Sequence, residues 1–443
     1  MSSFSKNSLI TFFTEVLLFF LGLATLIIVA RVLGPTGKGI YSLVLLIPGI
    51  MIVFGNLGIG GSNVYFVGSK KYKIEDVVSN SLILAISLGL ILILVFWFLL
   101  RFEPFLNFIH SNQIPLVYLW ILVLFIPVSL ILDFFLNIIC GKGEITNYNK
   151  IRILGGIIEL VAMVIFLLIL KRGISGAVFS SILSILFAAL FSLFLIKKIT
   201  QFHFFLNKKL LKDSFFYGGK VYLANALSFL NYRSDMVFLA FFLSPAAVGF
   251  YSIAVGVAEK LFMIPGAIAT VLFPKVSSIS NSEADDFTPK VVRHTFFIIL
   301  ISSLLLLFLA KPLIILVFGN AFLPSVLPLI LLLPGIIAFG VGGVLAADLS
   351  GRGKPQFAVY SSLACLVIDT ILNFILIPKW GVSGASIASS ISYSVDTLII
   401  LIAFSKISKK PLKEFLLIRK KDFRDYIQLF SNFRDWTKLK KIE

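Results

Sequence analysis

Charge is scarce in this chain: Asp, Glu, Lys and Arg make up 14% of its 443 residues. An ordinary soluble domain carries about 25%, so a solvated surface is excluded for most of the chain. Cysteine is scarcer still. Cys140 and Cys365 are the two present, each in or beside an apolar run, which excludes a disulfide framework and a cysteine metal site. The three histidines, His110, His203 and His294, have no ligand spacing. A nucleotide-binding loop is missing too. The segment Gly34-Pro35-Thr36-Gly37-Lys38 lacks a glycine at Val32 and a Ser or Thr at Gly39. No cofactor, no metal and no nucleotide-driven pumping is expected.

Apolar sequence is what the chain has instead. It is 59% hydrophobic, with 46 Phe, and its mean hydropathy is +1.04. That is the composition of a polytopic membrane protein. A spanning helix needs about 20 mostly apolar residues. Twelve such segments can be drawn, at 8–30, 40–66, 77–100, 114–139, 152–170, 174–196, 216–243, 247–273, 294–318, 322–347, 357–378 and 380–404. The expected fold is therefore all-α, with twelve transmembrane helices. The connections on one side are too short to hold a domain, which argues against a membrane glycosyltransferase or polymerase and for a protein that is not an enzyme.

Basic residues are distributed unequally. One set of connections carries Lys70, Lys71, Lys73, Lys142, Lys150, Arg152, Lys197, Lys198, Lys208, Lys209, Lys212, Lys275, Lys290, Arg293, Arg352 and Lys354; the other carries Arg31, Lys38, Arg101, Lys171, Arg172, Lys311 and Lys379. The excess of Lys and Arg marks the cytoplasmic side and puts both termini there. Arg31, Lys38 and Lys171 read as boundary charges. Residues 406–443 form a basic tail in which Phe423, Tyr426, Ile427, Phe430, Phe433 and Trp436 recur at helical spacing, which suits an amphipathic helix on an anionic leaflet; a partly disordered basic tail is the alternative.

The chain repeats itself. Leu33-Gly34-Pro35 with Gly39-x-Tyr41-Ser42 matches Leu243-Ser244-Pro245 with Gly249-x-Tyr251-Ser252 at an offset of 210, and Gly141-Lys142-Gly143 matches Gly351-Arg352-Gly353 at the same offset. Lys171-x-Gly173-Ile174-Ser175-Gly176-Ala177 matches Lys379-x-Gly381-Val382-Ser383-Gly384-Ala385 at 208. The repeat predicts two six-helix halves in parallel orientation, 1–205 and 206–405.

Ionisable residues inside the expected spans are costly, about 2.5–3.5 kcal/mol each on insertion scales, and mark sites by default. Glu159 and Asp369 occupy equivalent places, 210 apart; they are candidates for ion coupling or gating, or for a structural pair. Arg233 and Asp235 fall in the seventh segment, Glu259 and Lys260 in the eighth. At about 100° per residue, Lys220, Ser228, Asn231 and Asp235 share a sector of about 80°, and Arg233 points away from it. Gly249, Ser252, Gly256 and Glu259 share a face that either packs on a neighbour or borders a cavity. Pro48, Pro127, Pro265 and Pro334 interrupt four segments and are hinge candidates. Glu15, Asp133 and Asp396 are open between structural pairing and a lumen role.

Several of these stretches together resemble a known family. They are Leu230-Asn231-Tyr232-Arg233-x-Asp235, Val248-Gly249-Phe250-Tyr251-Ser252, Ala258-Glu259-Lys260, Leu272-Phe273-Pro274-Lys275-Val276-Ser277, and Ala30-Arg31-Val32-Leu33-Gly34-Pro35 before Gly39. In order and spacing they resemble bacterial polysaccharide exporters, the Wzx-type flippases of lipid-linked oligosaccharides. The superfamily also contains multidrug-and-toxin extrusion antiporters. The resemblance implies a V-shaped central cavity and movement of a polyprenyl-diphosphate-linked oligosaccharide to the outer leaflet of the bacterial inner membrane by alternating access. Arg233 and Lys260, with Lys220 and Asn231, would bind substrate; Glu159, Asp369, Glu259 and Asp235 would serve coupling or gating. Membrane lipids and a polysaccharide polymerase complex are the implied partners, with the chain acting as a monomer and no nucleic acid. The alternatives are a cation-coupled drug antiporter, disfavoured by Arg233 and Lys260 at mid-depth, and a non-transporting scaffold. Reporter fusions at Glu443 and in the Ser244–Val248 turn are expected to report opposite sides of the membrane; the same side for both would contradict the twelve-span reading.

Overall fold

The computed structural model describes the backbone of residues 3–201 and 204–416, and their side chains except those of 3–9, 220, 221, 224, 225, 413 and 416. The side chain of Lys220 and the aromatic series of the tail from Phe423 to Trp436 lie outside the described residues. Among the described residues the fold is all helical. In chain order the helices are α1 (Ser3–Asn56), α2 (Ile59–Gly68), α3 (Ile74–Leu99), α4 (Glu103–Ser111), α5 (Leu116–Leu124), α6 (Ile126–Gly141), α7 (Ile145–Met163), α8 (Gly173–Ile199), α9 (Lys208–Phe242), α10 (Pro245–Ala258), α11 (Met263–Ser278), α12 (Asn281–Phe318), α13 (Val326–Gly351), α14 (Gln356–Ser408) and α15 (Lys413–Leu416).

Eight helices among the described residues are long and apolar enough to cross a membrane, or nine if the bent pair α4–α5 is one span. The count is lower than the twelve expected segments because α9, over the seventh segment, and the divided fourth segment are not among the eight, and because α1 and α14 each take in two of them. Each bends at a glycine with non-helical dihedrals, Gly34 (φ 66°) in α1 and Gly381 (φ 58°) in α14, a region that side chains with a Cβ rarely adopt. The fourth expected segment is split between α5 and α6 at Phe125, just before Pro127. Between α10 and α11 the chain tightens into a 3₁₀ turn, Glu259–Phe262. Pro265 has no N–H to return to the carbonyl of Leu261, and the helix gives way there. Helices α1 and α13 run through Pro48 and Pro334.

The chain forms two compact units. The first comprises residues 1–256, 311–328 and 370–385, and the second 257–310, 329–369 and 386–443. In the first, α7 packs on α8 and α1, and α6 on α2 and α3. Phe66, Val77, Phe135, Ile138, Ile139, Ile151 and Leu210 form one of its buried clusters. Polar links fix the approach to α9. Asn207 caps that helix at the Leu210 N–H (3.1 Å). It also exchanges two hydrogen bonds with Asn80 of α3: its N–H donates to Asn80 Oδ1 (2.8 Å), and Asn80 Nδ2 donates to its carbonyl (2.9 Å). Asp213 accepts from Lys71 Nζ and Tyr72 O–H, both at 2.7 Å. The hydrogen bond from Lys71, then that from Tyr72, holds the Asp213 carboxyl below its usual range. A depressed carboxylate keeps its link above the usual pKa and loses it only as pH falls through the lowered value, so this link is intact at neutral pH. Arg31 Nε donates to the Val317 carbonyl (2.7 Å) and its Nη2 to that of Leu316. A cation there satisfies end carbonyls of α12 and faces the negative pole of the helix.

The second unit is centred on Leu272, Val276, Val292, Val344, Leu345, Phe404 and Phe415. Beside this core, Thr288 Oγ1 donates to Asp348 Oδ1 (2.6 Å), and Arg352 donates from Nε to Asp348 (2.6 Å) and from Nη1 to Asp285 (2.5 Å). The Asp348 side chain is 0% exposed and that of Arg352 3%.

The repeat noted in the sequence recurs in packing. A Cβ on Gly141 would stand 2.8 Å from the carbonyl oxygen of Val64, and one on Gly351 would stand 2.9 Å from that of Phe273. Both glycines therefore let the end of one helix rest on the backbone of another, α6 on α2 and α13 on α11. Removing one partner of a buried ion pair leaves the other charge uncompensated and costs about 3–5 kcal/mol. Asp348→Ala is therefore expected to destabilise the protein by that order in reversible denaturation, and Asp285→Ala, at a more exposed position, by clearly less.

Candidate functional site

The site begins at the bend of α1. Because helical backbone resumes at Pro35, directly after the kink at Gly34, Lys38 is one turn inside a helix and not in a connecting loop. Its residue exposure is 8%. The ammonium donates to Ser42 Oγ (3.0 Å) and stands 5.7 Å from the centre of the Tyr41 ring. The reading of Lys38 as a boundary charge is thus corrected. Arg31 and Lys171, by contrast, are exposed.

Lys38 lines a cavity of about 330 Å³ with Thr25, Tyr41 and Glu159, walled by Leu18, Leu21 and Leu26 of α1 and Gly156 of α7. Tyr41 O–H shares a hydrogen bond with Ser181 Oγ of α8 (2.8 Å), and Ser181 Oγ is 3.4 Å from Glu159 Oε1 of α7. The cavity thus holds an ammonium and a carboxylate, each hydrogen-bonded to a hydroxyl and neither ion-paired among the described residues. Arg233 on α9 is near enough for its charge to repel that of Lys38. It is half-buried, and its Nη1 donates to the Tyr232 carbonyl (3.0 Å).

A second polar cluster lies in the same unit. Asp235 is 1% exposed. Its Oδ1 accepts from Asn373 Nδ2 of α14 (2.8 Å), and its Oδ2 accepts a short hydrogen bond from Tyr251 O–H of α10. Tyr41 and Tyr251 are the repeated tyrosines of the Gly-x-Tyr-Ser motif, and each enters a buried polar cluster.

The other candidates are placed as follows. Asn231 is buried, while Ser228, expected on the same stripe, is exposed. Glu259 and Lys260 are half-buried in the 3₁₀ turn of the second unit, and Asp369, also in that unit, is buried. Glu15 pairs with Arg152 (2.6 Å), the structural alternative. Asp133 accepts from Asn56 Nδ2 (2.6 Å) and Asn137 Nδ2 (3.2 Å). Asp396 is buried in the second unit. Among the described residues no group of three or more His, Cys, Asp or Glu is placed to hold a metal.

Two family models match the chain: one described as polysaccharide biosynthesis protein, over residues 4–280, and one described as lipid II flippase MurJ, over residues 153–426. The chain belongs to the Wzx-type polysaccharide flippase family. The "Putative O-antigen transporter" of Shigella flexneri is 25% identical over 416 residues, covering 90% of this chain and 97% of that one. The capsular polysaccharide biosynthesis protein CapF of Staphylococcus aureus is 24% identical over 265 residues, 57% of this chain and 67% of that one. Among solved structures, lipid II flippase MurJ in an inward closed conformation superposes with a TM-score of 0.75 at 19% identity, over 97% of this chain and 92% of that one. An inward-facing multidrug resistance MATE family transporter of the MOP superfamily gives 0.69 at 18% identity, over 88% of this chain and 96% of that one. These two likenesses establish the fold.

Lys38, Tyr41, Ser181, Tyr251 and Asn373 are candidate site residues to which the sequence reading gave no role in a site. The signals were present. Lys38 aligns with Val248 at the offset of 210, so one copy of the repeat carries a cation where the other is apolar. The two tyrosines were visible as a motif but without a role. Hydrogen bonds to a charged group are stronger than neutral ones, about 1.5–3 against 0.5–1.5 kcal/mol. Tyr251→Phe, which strips a donor from the Asp235 carboxylate, is therefore expected to cost more stability in SDS unfolding than Tyr41→Phe, which loses a bond to a serine. Equal costs would contradict the assignment of the Asp235 carboxylate as the charged acceptor.

Proposed function

We propose that the protein carries a polyprenyl-diphosphate-linked oligosaccharide from the inner to the outer leaflet of the bacterial cytoplasmic membrane. The large polar head cannot cross hydrocarbon. Twelve spans in two six-helix halves, 1–205 and 206–405, would give it a V-shaped aqueous path open to one side at a time, while the lipid tail stays in the bilayer. Membership of the flippase family supports the transport class. The observation that carries the substrate charge is the buried ammonium of Lys38, which lines the cavity and has no carboxylate partner among the described residues. The Lys38 ammonium offers an anion such as a diphosphate a partner in the cavity, with Glu159 of the same cavity balancing its charge when the site is empty, and the Arg233 guanidinium matches phosphate oxygens through paired donors. The Lys38 ammonium in the cavity disfavours a cationic drug, so the antiporter alternative is the weaker one.

Coupling is assigned to Asp235 with Asn373 and Tyr251, and to Glu159 across the cavity from Lys38. Asp369, Glu259, Lys260, Lys220 and Asn231 remain secondary candidates for gating and substrate contact, with Pro127 and Pro265, which directly follow helix interruptions, as hinges. Both termini are cytoplasmic in this reading, and the polysaccharide polymerase is the natural neighbour.

Deletion in the native host is expected to accumulate complete lipid-linked repeat units on the inner leaflet; absence of such intermediates would refute the flippase assignment. Losing a charge-assisted hydrogen bond costs about 1.5–3 kcal/mol, or about 10- to 100-fold in rate. Lys38→Ala and Arg233→Ala are expected to reduce flipping by that factor at normal membrane levels, with Arg233→Lys retaining part of the activity. Normal transport by both alanine variants would place the anion site elsewhere.

A further inference from the structure

From Gly39 through the second expected span, 40–66, the chain meets the α9–α10 hairpin backbone against backbone at two of its contacts. At the first, a Cβ on Gly39 would stand 1.7 Å from the carbonyl oxygen of Pro245, and a Cβ on Gly249 would stand 2.0 Å from that of Pro35. The contact is reciprocal, each glycine resting on the proline carbonyl four residues before its counterpart in the repeat. At the second, a Cβ on Gly58 would stand 2.1 Å from the Gly218 oxygen, and one on Gly218 would stand 2.6 Å from the Gly58 oxygen. No side chain beyond hydrogen fits at any of the four positions while the contacts hold. Gly58 and Gly218 align with Ile268 and Ser8 at the offset of 210, so duplication does not account for the second contact. The two lie 19 residues apart in the chain, about 28 Å of helix at 1.5 Å per residue.

The ends are built differently. The Gly58–Gly218 end is reinforced by the stacked rings of Tyr65 and Tyr217, 4.3 Å apart at 14°, and by the bonds from Lys71 and Tyr72 to Asp213. The Gly39–Gly249 end rests on the reciprocal glycine contact.

We infer that these two contacts are the gates of the transport path. The α1–α10 glycine pair seals it on the outer side, and the α2–α9 pair, with Asp213, seals it on the cytoplasmic side. Each parts when its own side opens. The inference rests on the flippase reading for what passes between the gates. Small residues also pack membrane helices for stability alone; that alternative predicts damage without direction, whereas gates predict opening on one side.

The test is sided accessibility of a single cysteine. Cys140 and Cys365 are replaced by Ser, Thr25→Cys is placed in the cavity wall, and labelling by a membrane-impermeant maleimide is compared in intact cells and in inverted vesicles. Gly39→Ala or Gly249→Ala is expected to raise labelling from outside several-fold and lower it from inside. Gly218→Ala is expected to do the reverse. Asp213→Asn, a half-exposed position outside the expected spans, should follow Gly218→Ala in direction even if the glycine variants fold poorly. Labelling that rises from both sides, rises on the same side for both pairs, or does not change for Asp213→Asn overturns the gates. Flipping by the unsubstituted protein is measured in parallel. Reciprocal labelling without any movement of lipid-linked oligosaccharide would refute the flippase reading and leave the gates standing.

Discussion

The geometry of the first unit depends on a steric constraint: α1 and α10 approach so closely at Gly39 and Gly249 that a methyl group at either would overlap a carbonyl oxygen. The constraint gives the Gly-x-Tyr-Ser motif a physical meaning. Two residues along a helix turn the chain by about 200°, so the tyrosine faces away from the surface on which the glycine makes contact. Tyr41 thereby reaches Ser181 on α8, and Tyr251 reaches Asp235 on α9. Lys38, beside Gly39, is carried into the cavity with Glu159 by the same crossing.

The second organising factor is the cost of charge at bilayer depth. Each carboxylate described in the expected spans of the first unit answers it in a different way. Glu15 takes an ion pair with Arg152, Asp133 takes two amides, and Asp235 takes an amide and a phenol. Glu159 has only a distant serine and an open cavity. The charges with least protein compensation, Glu159 and Lys38, line the same cavity, and it is there that solvent, ion or substrate has most to contribute. In the second unit the enclosed Arg352 pairs with buried Asp348 and with the more exposed Asp285, which suits a structural joint.

Much of this was legible in the chain. The drawn segments lie largely on helical backbone, with breaks such as Leu57-Gly58 and Phe125, because long apolar runs leave few other conformations open in a membrane; eight or nine helices among the described residues are long and apolar enough to cross one. The carboxylates were found by their cost alone, and the repeat located Gly141 and Gly351, whose packing is alike. The position of Lys38 was not legible. A lysine beside Gly-Pro-Thr-Gly reads as a loop residue, and only the unbroken helix beyond Gly34 turns it inward. Nor did helical angles foresee the environment of the α9 stripe: Asn231 and Asp235 are buried and Ser228 is exposed, since burial depends on which neighbours lie at each depth as well as on the direction around the axis. The partners of Asp235 come from α10 and α14, far away in sequence, and no local pattern announces them.

The central claim is that the second span separates from the α9–α10 hairpin at one end while staying closed at the other. Two spin-label distances in the reconstituted protein test it most directly, one from Val32 to Phe241 near the Gly39–Gly249 contact and one from Ser69 to Lys212 near the Gly58–Gly218 contact, all four positions being exposed. The account predicts that each distance has a short and a long population, and that adding a lipid-linked diphosphate oligosaccharide shifts the two in opposite directions. Two single, ligand-insensitive distances, or two that lengthen together, would contradict it.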